Sequence, residues 1–119
     1  IICVGEEKKS DKLDIVLEQI NYALKNIDNN IIPIIAYEPV WAIGTGKLPA
    51  VNRINKMTRM IKAHLEKLGY TDSSILYGGS VGIDNYKMIS DADIDGFLLG
   101  GVSLRIKEFI EIVKGIDNE

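Results

Sequence analysis

Short unbroken apolar runs alternate along this chain with longer stretches in which apolar residues return every three or four positions. An unbroken run of four to eight residues suits a buried strand, and the three-to-four spacing lays one stripe of a helix against a core. Residues 1–4 form the first run, ended by Gly5; after the polar residues 6–12, Leu13, Val16, Leu17, Ile20 and Leu24 follow at helical spacing. Residues 31–37 form the second run, with Pro33 inside it. A glycine-bearing loop through Lys47 leads from there to a helix on which Ile54, Met57, Ile61, Leu65 and Leu68 share a face, with Gly69 as its expected stop. The third run, residues 75–77, ends at Gly78 and Gly79, and Asp84 is the expected N-cap of a short helix over residues 84–89. The fourth, residues 94–99, is broken by Gly100 and Gly101; Ile106, Phe109, Ile110 and Val113 of the next helix are expected to face inward before Gly115 closes it.

These are four βα units. Strands that are continuous apolar runs, separated by amphipathic helices, predict an α/β fold with a parallel sheet buried on both faces. A glycine follows the C-terminal end of every strand, the end at which α/β proteins place their ligands. Four units make either a small open sheet or half of an eight-unit barrel of roughly 250 residues. Periodicity does not choose between them.

Composition narrows the function classes. The 119 residues are 46% hydrophobic, enough for one globular domain, and 14 basic against 17 acidic residues give a net charge of -3. No basic cluster interleaves with aromatics, so nucleic acid is not an expected partner. A small anion is, because backbone N–H groups bind phosphate without net positive charge. The longest apolar stretch is far short of the roughly 20 residues of a membrane helix, and the single Cys3, in a strand-like run, reads as a buried thiol in a reducing compartment, hence the cytoplasm. The chain opens on Ile1 and Ile2, already inside a β-branched run, which leads to the expectation that it begins partway through a longer polypeptide.

The segment AYEPVWAIGTGK, residues 36–47, places Glu38 at the C-terminal end of the second strand, followed by a Pro-stiffened loop and two glycines. By chemistry alone Glu38 is a candidate general base at the mouth of the sheet, or else a surface carboxylate paired with a lysine. Gly44 and Gly46 are positions where the backbone can turn or approach a ligand.

This string resembles the signature of the triosephosphate isomerase family. Three more segments resemble that family in the right order: IICVGE at 1–6 is similar to its strand five, ILYGGSV at 75–81 to strand seven, and DGFLLGGVSL at 95–104 to strand eight. The resemblance implies that residues 1–119 are a single partial domain, the parallel (βα)4 C-terminal half of a TIM (β/α)8 barrel. It implies that Glu38 is the catalytic base that moves a proton between adjacent carbons of a triose phosphate, interconverting glyceraldehyde 3-phosphate and dihydroxyacetone phosphate through an enediolate. Backbone N–H groups at Gly44, Ser80, Gly100 and Gly101 would hold the phosphate. The lid would comprise Pro39, Val40, Trp41, Ala42, Ile43, Gly44, Thr45, Gly46 and Lys47, with Tyr77 and Ser80 bonding it when closed and Glu6 contacting Trp41 when open. The family needs no cofactor and no metal, and its full-length members dimerise.

Proton abstraction beside a carbonyl also needs an electrophile, and the only histidine, His64, lies mid-helix next to Ile61, Leu65 and Leu68, a partly exposed helix-face residue. The resemblance places the electrophilic His and the substrate-binding Lys on strands one and four, upstream of Ile1, and Lys47 does not replace the latter. The natural partner of this chain would be that N-terminal half. Cys3 matches a family cysteine near the active site and reads as a packing residue rather than a nucleophile. Departures lie in the shortened segment after Glu6, in Leu48, Pro49 and Ala50 after the lid, and in Leu99 and Val102 at strand eight. They leave two alternatives open: a paralogue acting on erythrulose phosphates, and a non-catalytic phosphate-binding half-barrel.

Overall fold

The four apolar runs become four parallel strands of one sheet in sequence order, in a computed structural model that describes residues 1–117. The strands are β1 (Ile2–Val4), β2 (Ile35–Tyr37), β3 (Ile75–Gly78) and β4 (Gly96–Leu98). The helices are α1 (Asp14–Leu24), α2 (Val51–Lys67), α3 (Tyr86–Ser90) and α4 (Ile106–Asp117), with single 3-10 turns at Val40–Ala42 and Gly101–Leu104. Each strand lies beside the next in sequence, Ile2 opposite Ile35, Ile35 opposite Ile75 and Leu76 opposite Gly96. This is the α/β arrangement of half a TIM barrel, and it leaves β1 and β4 as open edges.

The expectation of burial on both faces is corrected. Successive strand residues point to opposite faces, and one alternation, Val4, Ile35, Tyr37, Ile75 and Tyr77, is buried in the same cluster as Val16 and Ile20 of α1 and Ile54, Met57, Ile61 and Leu65 of α2. The other alternation is buried at Ala36 of the central strand but carries exposed Cys3 and half-buried Leu76 and Leu98. Only the first face has helices packed on it. Cys3 is therefore not the buried thiol that its apolar surroundings in sequence suggested.

The helical spacings of α1 and α2 are realised, and α2 stops where glycine was expected: Gly69 has φ +94° and the Tyr70 N–H reaches back to the Leu65 carbonyl at 2.9 Å. Three other expectations are corrected. The second strand begins only at Ile35, because Pro33 has no N–H to pair and the Asp28 side chain and carbonyl turn the chain at Asn30 and Ile31, leaving Ile31 and Ile32 exposed. Asp84 does not cap α3, which starts at Tyr86; Asn85 instead ties the preceding loop, accepting from the Gly82 N–H at 2.9 Å and donating to the Ser80 carbonyl at 2.7 Å.

On α4 the buried residue is Ile112, whereas Ile106, Ile110 and Val113 are exposed and Phe109 is half-buried. The helix runs through Gly115, which lets it approach α3: a Cβ there would meet the Tyr86 ring at 2.9 Å. α4 packs on α3 and on the 3-10 turn before it, and leaves Ile106, Ile110 and Val113 in solvent.

Candidate active site

Glu38 is the first residue past the end of β2, and its place is set by the chain beside it. Its N–H donates to the Val4 carbonyl at 2.7 Å, extending the β1–β2 ladder by one step, and the Val40 N–H does the same to the Glu6 carbonyl at 2.9 Å. Gly5 lies between, its amide read at both ends by Gln19 of α1: N–H to Oε1 at 2.9 Å, carbonyl from Nε2 at 3.0 Å. The half-buried Glu38 side chain leans over Gly78, where an added Cβ would stand 2.6 Å from its Cγ and 2.9 Å from its carboxylate. It faces a cavity of about 250 Å³ lined by Ile43, Gly79, Leu98, Leu99 and Gly100 as well. On its other side Glu38 meets the Cys3 thiol, whose pKa is raised by partial burial and by the hydrogen bond and negative charge of that carboxylate.

The loop expected to be a lid leaves Glu38 through Pro39, makes the 3-10 turn Val40–Ala42 and then exposes Ile43, Gly44, Thr45, Gly46 and Lys47 to solvent. Gly44 and Gly46 take φ of +67° and +71°, left-handed conformations that cost side-chain-bearing residues about 1 kcal/mol or more. Ala42 is buried, and its carbonyl accepts from Ser80 Oγ at 2.7 Å and from Thr45 Oγ1 at 3.2 Å. Ser80 thus touches the loop. The Tyr77 hydroxyl does not: it is buried against Gly79 without a hydrogen-bond partner, and burial together with the negative charge of Glu6 pushes its pKa up to about 12.

Four of the predicted phosphate-binding positions lie at this same end of the sheet. Gly100 lines the Glu38 cavity, Gly101 opens the 3-10 turn Gly101–Leu104, Ser80 follows the glycine pair after β3, and Gly44 lies in the exposed loop. Ser103 Oγ donates back to the Gly100 carbonyl at 2.6 Å and stiffens the turn. His64 lies apart on α2, 2.6 Å from Asn21 Oδ1 of α1. Among the described residues no group of three or more His, Cys, Asp or Glu could hold a metal ion, and no helix is long and apolar enough to cross a membrane.

Glu6 is fully buried, and its Oε1 accepts from Trp41 Nε1 at 3.0 Å, the contact predicted from the sequence. Two residues that sequence reasoning passed over complete the set: Tyr37 Oη donates to the same oxygen at 2.8 Å and Arg53 Nη2 at 2.8 Å. Strand register could have found Tyr37, since it pairs with Val4 and so shares a side with Glu6 two residues on. Nothing local marks Arg53, 47 positions away on α2.

Burial by itself raises the Glu6 pKa, but hydrogen bonds from Trp41, the backbone, Arg53 and Tyr37 outweigh it and hold the carboxyl below its ordinary range. Burial and the Glu6 charge raise the Tyr37 hydroxyl, which stays protonated as a donor. The sign for stability follows. A folded pKa below the unfolded value of about 4.3 contributes stability present above that value and lost as pH falls through the folded one. Thermal melts between pH 6 and pH 2.5 should show an acid loss of stability in the wild type that is visibly smaller in Glu6→Gln; equal acid slopes would remove Glu6 from the account.

The triosephosphate isomerase family profile matches residues 1–116. Among similar curated proteins, the triosephosphate isomerase of Mycoplasma mobile is 41% identical over 119 aligned residues, covering 96% of this chain and 48% of that protein. That of Borrelia hermsii is 40% identical over 127, covering 98% and 50%, and that of Bdellovibrio bacteriovorus 42% over 117, covering 94% and 48%. The chain spans about half the length of the curated relatives it matches.

Proposed function

Because this chain belongs to the triosephosphate isomerase family, we propose that it is the half of a triose-phosphate isomerase that supplies the catalytic base and the phosphate-binding loops. The observation that carries the reading is the shared cavity: Glu38 and Gly100 line one space of about 250 Å³, together with Ile43 of the loop. A carboxylate residue and one of the glycines proposed to bind phosphate beside a single cavity support a small phosphorylated aldose or ketose as substrate.

In this reading Glu38 takes a proton from the carbon beside the carbonyl and returns it to the neighbouring carbon, with an enediolate between. The phosphate oxygens receive N–H groups from Gly44, Ser80, Gly100 and Gly101, positions whose small or absent side chains let amides converge. Residues 39–47 close over the substrate and exclude water, and the Tyr77 hydroxyl, buried without a partner, donates to the closed loop. The enediolate needs an electrophile as well, the role of a neutral His in this family. Among the described residues none lining the Glu38 cavity fills that role; His64 is on α2 bonded to Asn21.

Turnover therefore belongs to the full-length protein, with the other barrel half as partner. The 119-residue chain alone, its mass of 13.2 kDa confirmed in the assayed sample, should show no appreciable isomerisation of glyceraldehyde 3-phosphate. Joined to a family N-terminal half, it should turn over. Robust activity of the chain by itself would overturn the division of roles, and an inactive but folded joined protein would overturn the isomerase reading.

A further inference from the structure

Arg53 reaches from the first turn of α2 into the contact between Glu6 and Trp41. The Glu6 side chain is fully buried and that of Arg53 is 22% exposed, so the two charges meet largely out of water. The three side-chain donors, Tyr37, Trp41 and Arg53, converge on Oε1, while Oε2 and Arg53 Nε have no side-chain partner. Arg53 also donates to the Lys9 carbonyl at 3.2 Å and stacks its guanidinium 5.7 Å from the centre of the Trp41 ring, with the Lys9 ammonium 5.6 Å from the same ring. One guanidinium thus ties three segments together: the loop after β1, the start of the 39–47 loop, and the helix into which that loop runs.

We propose that Arg53 is a positioning residue that fixes the resting place of Trp41, and with it the base of the 39–47 loop, by neutralising the buried Glu6 carboxylate. The lid role of that loop rests on the isomerase reading; the anchoring of Trp41 does not. The electrostatics decide the direction of the effect. Glu6 is faced by the Tyr37 hydroxyl from β2, the Tyr77 hydroxyl from β3, the Trp41 indole and the Arg53 guanidinium, with Lys9 reaching the ring from its own loop. Of these, Arg53 is the one cation bonded to the carboxylate. The neutral donors lower the cost of a buried charge without cancelling it, and removing one partner of a buried pair leaves the other uncompensated. Without Arg53 the carboxyl therefore takes up a proton at higher pH. Once neutral, it is a weaker acceptor for the indole N–H, and Trp41 is released.

Trp41 is the only tryptophan in the chain, so emission reports the surroundings of this one ring. The experiment is a pH titration of tryptophan emission and acrylamide quenching on the 119-residue chain, with far-UV circular dichroism alongside; it needs neither turnover nor bound phosphate, so its failure and that of the isomerase reading are separable. The wild type should change only below the ordinary carboxylate range. Arg53→Gln should move the midpoint up by a pH unit or more and raise quenching at neutral pH, and Arg53→Lys, which keeps the charge on a different donor geometry, should restore most of the shift. If Arg53→Gln does not fold, Arg53→Lys carries the test with a midpoint above that of the wild type. A folded Arg53→Gln with the wild-type midpoint, or an Arg53→Lys indistinguishable from Gln where both fold, overturns the proposal.

Discussion

Glu38→Gln in the joined, full-length protein should lower kcat for glyceraldehyde 3-phosphate by about 10²–10⁴-fold, the span of a general base, and leave KM within a few-fold. The amide keeps the shape of the carboxylate over Gly78, so the backbone ladder from Val4 to Glu38 and the cavity lined by Gly100 should persist. What is lost is the ability to accept a proton. Glu38→Asp separates chemistry from placement: it keeps the base but withdraws it by one methylene toward the strand. A displacement of about 1 Å costs about 10²-fold when geometry is what catalysis needs, so Asp should be impaired, yet faster than Gln. A Gln variant within tenfold of wild type would mean that Glu38 is not the base, and Asp no better than Gln would mean that a carboxylate drawn back by one methylene is as ineffective as none, so that placement governs the whole effect.

The fold was legible in the sequence where local spacing and tertiary packing ask for the same thing. Val16, Ile20 and Leu24 on α1, and Ile54, Met57, Ile61 and Leu65 on α2, each lie at helical spacing and each reach the core, because both helices have a sheet face to cover. Spacing misled where no element among the described residues covers the apolar face. Cys3 lies in an apolar run suited to a strand buried on both faces, but only one face of the sheet has helices on it. Ile106, Ile110 and Val113 are spaced for burial and are exposed, with Ile112 buried instead. Apolar periodicity records what a residue is suited to pack against; it does not record whether that partner is present.

The site divides in the same way. Glu38, Trp41 and the glycines of the loops stand in one contiguous string or directly after strands, so local sequence located them, and the Glu6–Trp41 contact came with the family resemblance. Arg53 had no such marker. Its role depends on a distance across the fold, 2.8 Å to a carboxylate 47 residues earlier, and many arginines near a helix start look identical in sequence. Charge partners separated by a whole βα unit are fixed only by packing.

Gly5→Ala should be the most damaging single substitution for stability among the glycines beside the site. A methyl there would run into the Glu38 carbonyl oxygen, with the carbonyl carbon and the Pro39 nitrogen next in line, all backbone atoms that cannot swing aside. The Gln19 amide grips the Gly5 peptide from α1 at both ends, so Gly5 cannot retreat either. Forcing an extra carbon into such a place costs about 1–3 kcal/mol and occasionally more, against a gain of about 0.4–1 kcal/mol from stiffening the unfolded chain. The clash, against backbone on one side and a gripped peptide on the other, falls at the upper end of that range and wins, and a fall in Tm of about 5–10 °C is expected in thermal unfolding. Gly82→Ala is the matched control: nothing lies within 4 Å of its Cβ position, its φ is not left-handed, and its Tm should be unchanged or slightly raised. In the joined protein Gly5→Ala should also lower kcat, because the backbone atoms that must move carry Glu38. A Gly5→Ala protein as stable as Gly82→Ala would show that β1 and β2 do not approach this closely at their C-terminal ends, and that the placement of Glu38 rests on something other than the absence of a side chain at position 5.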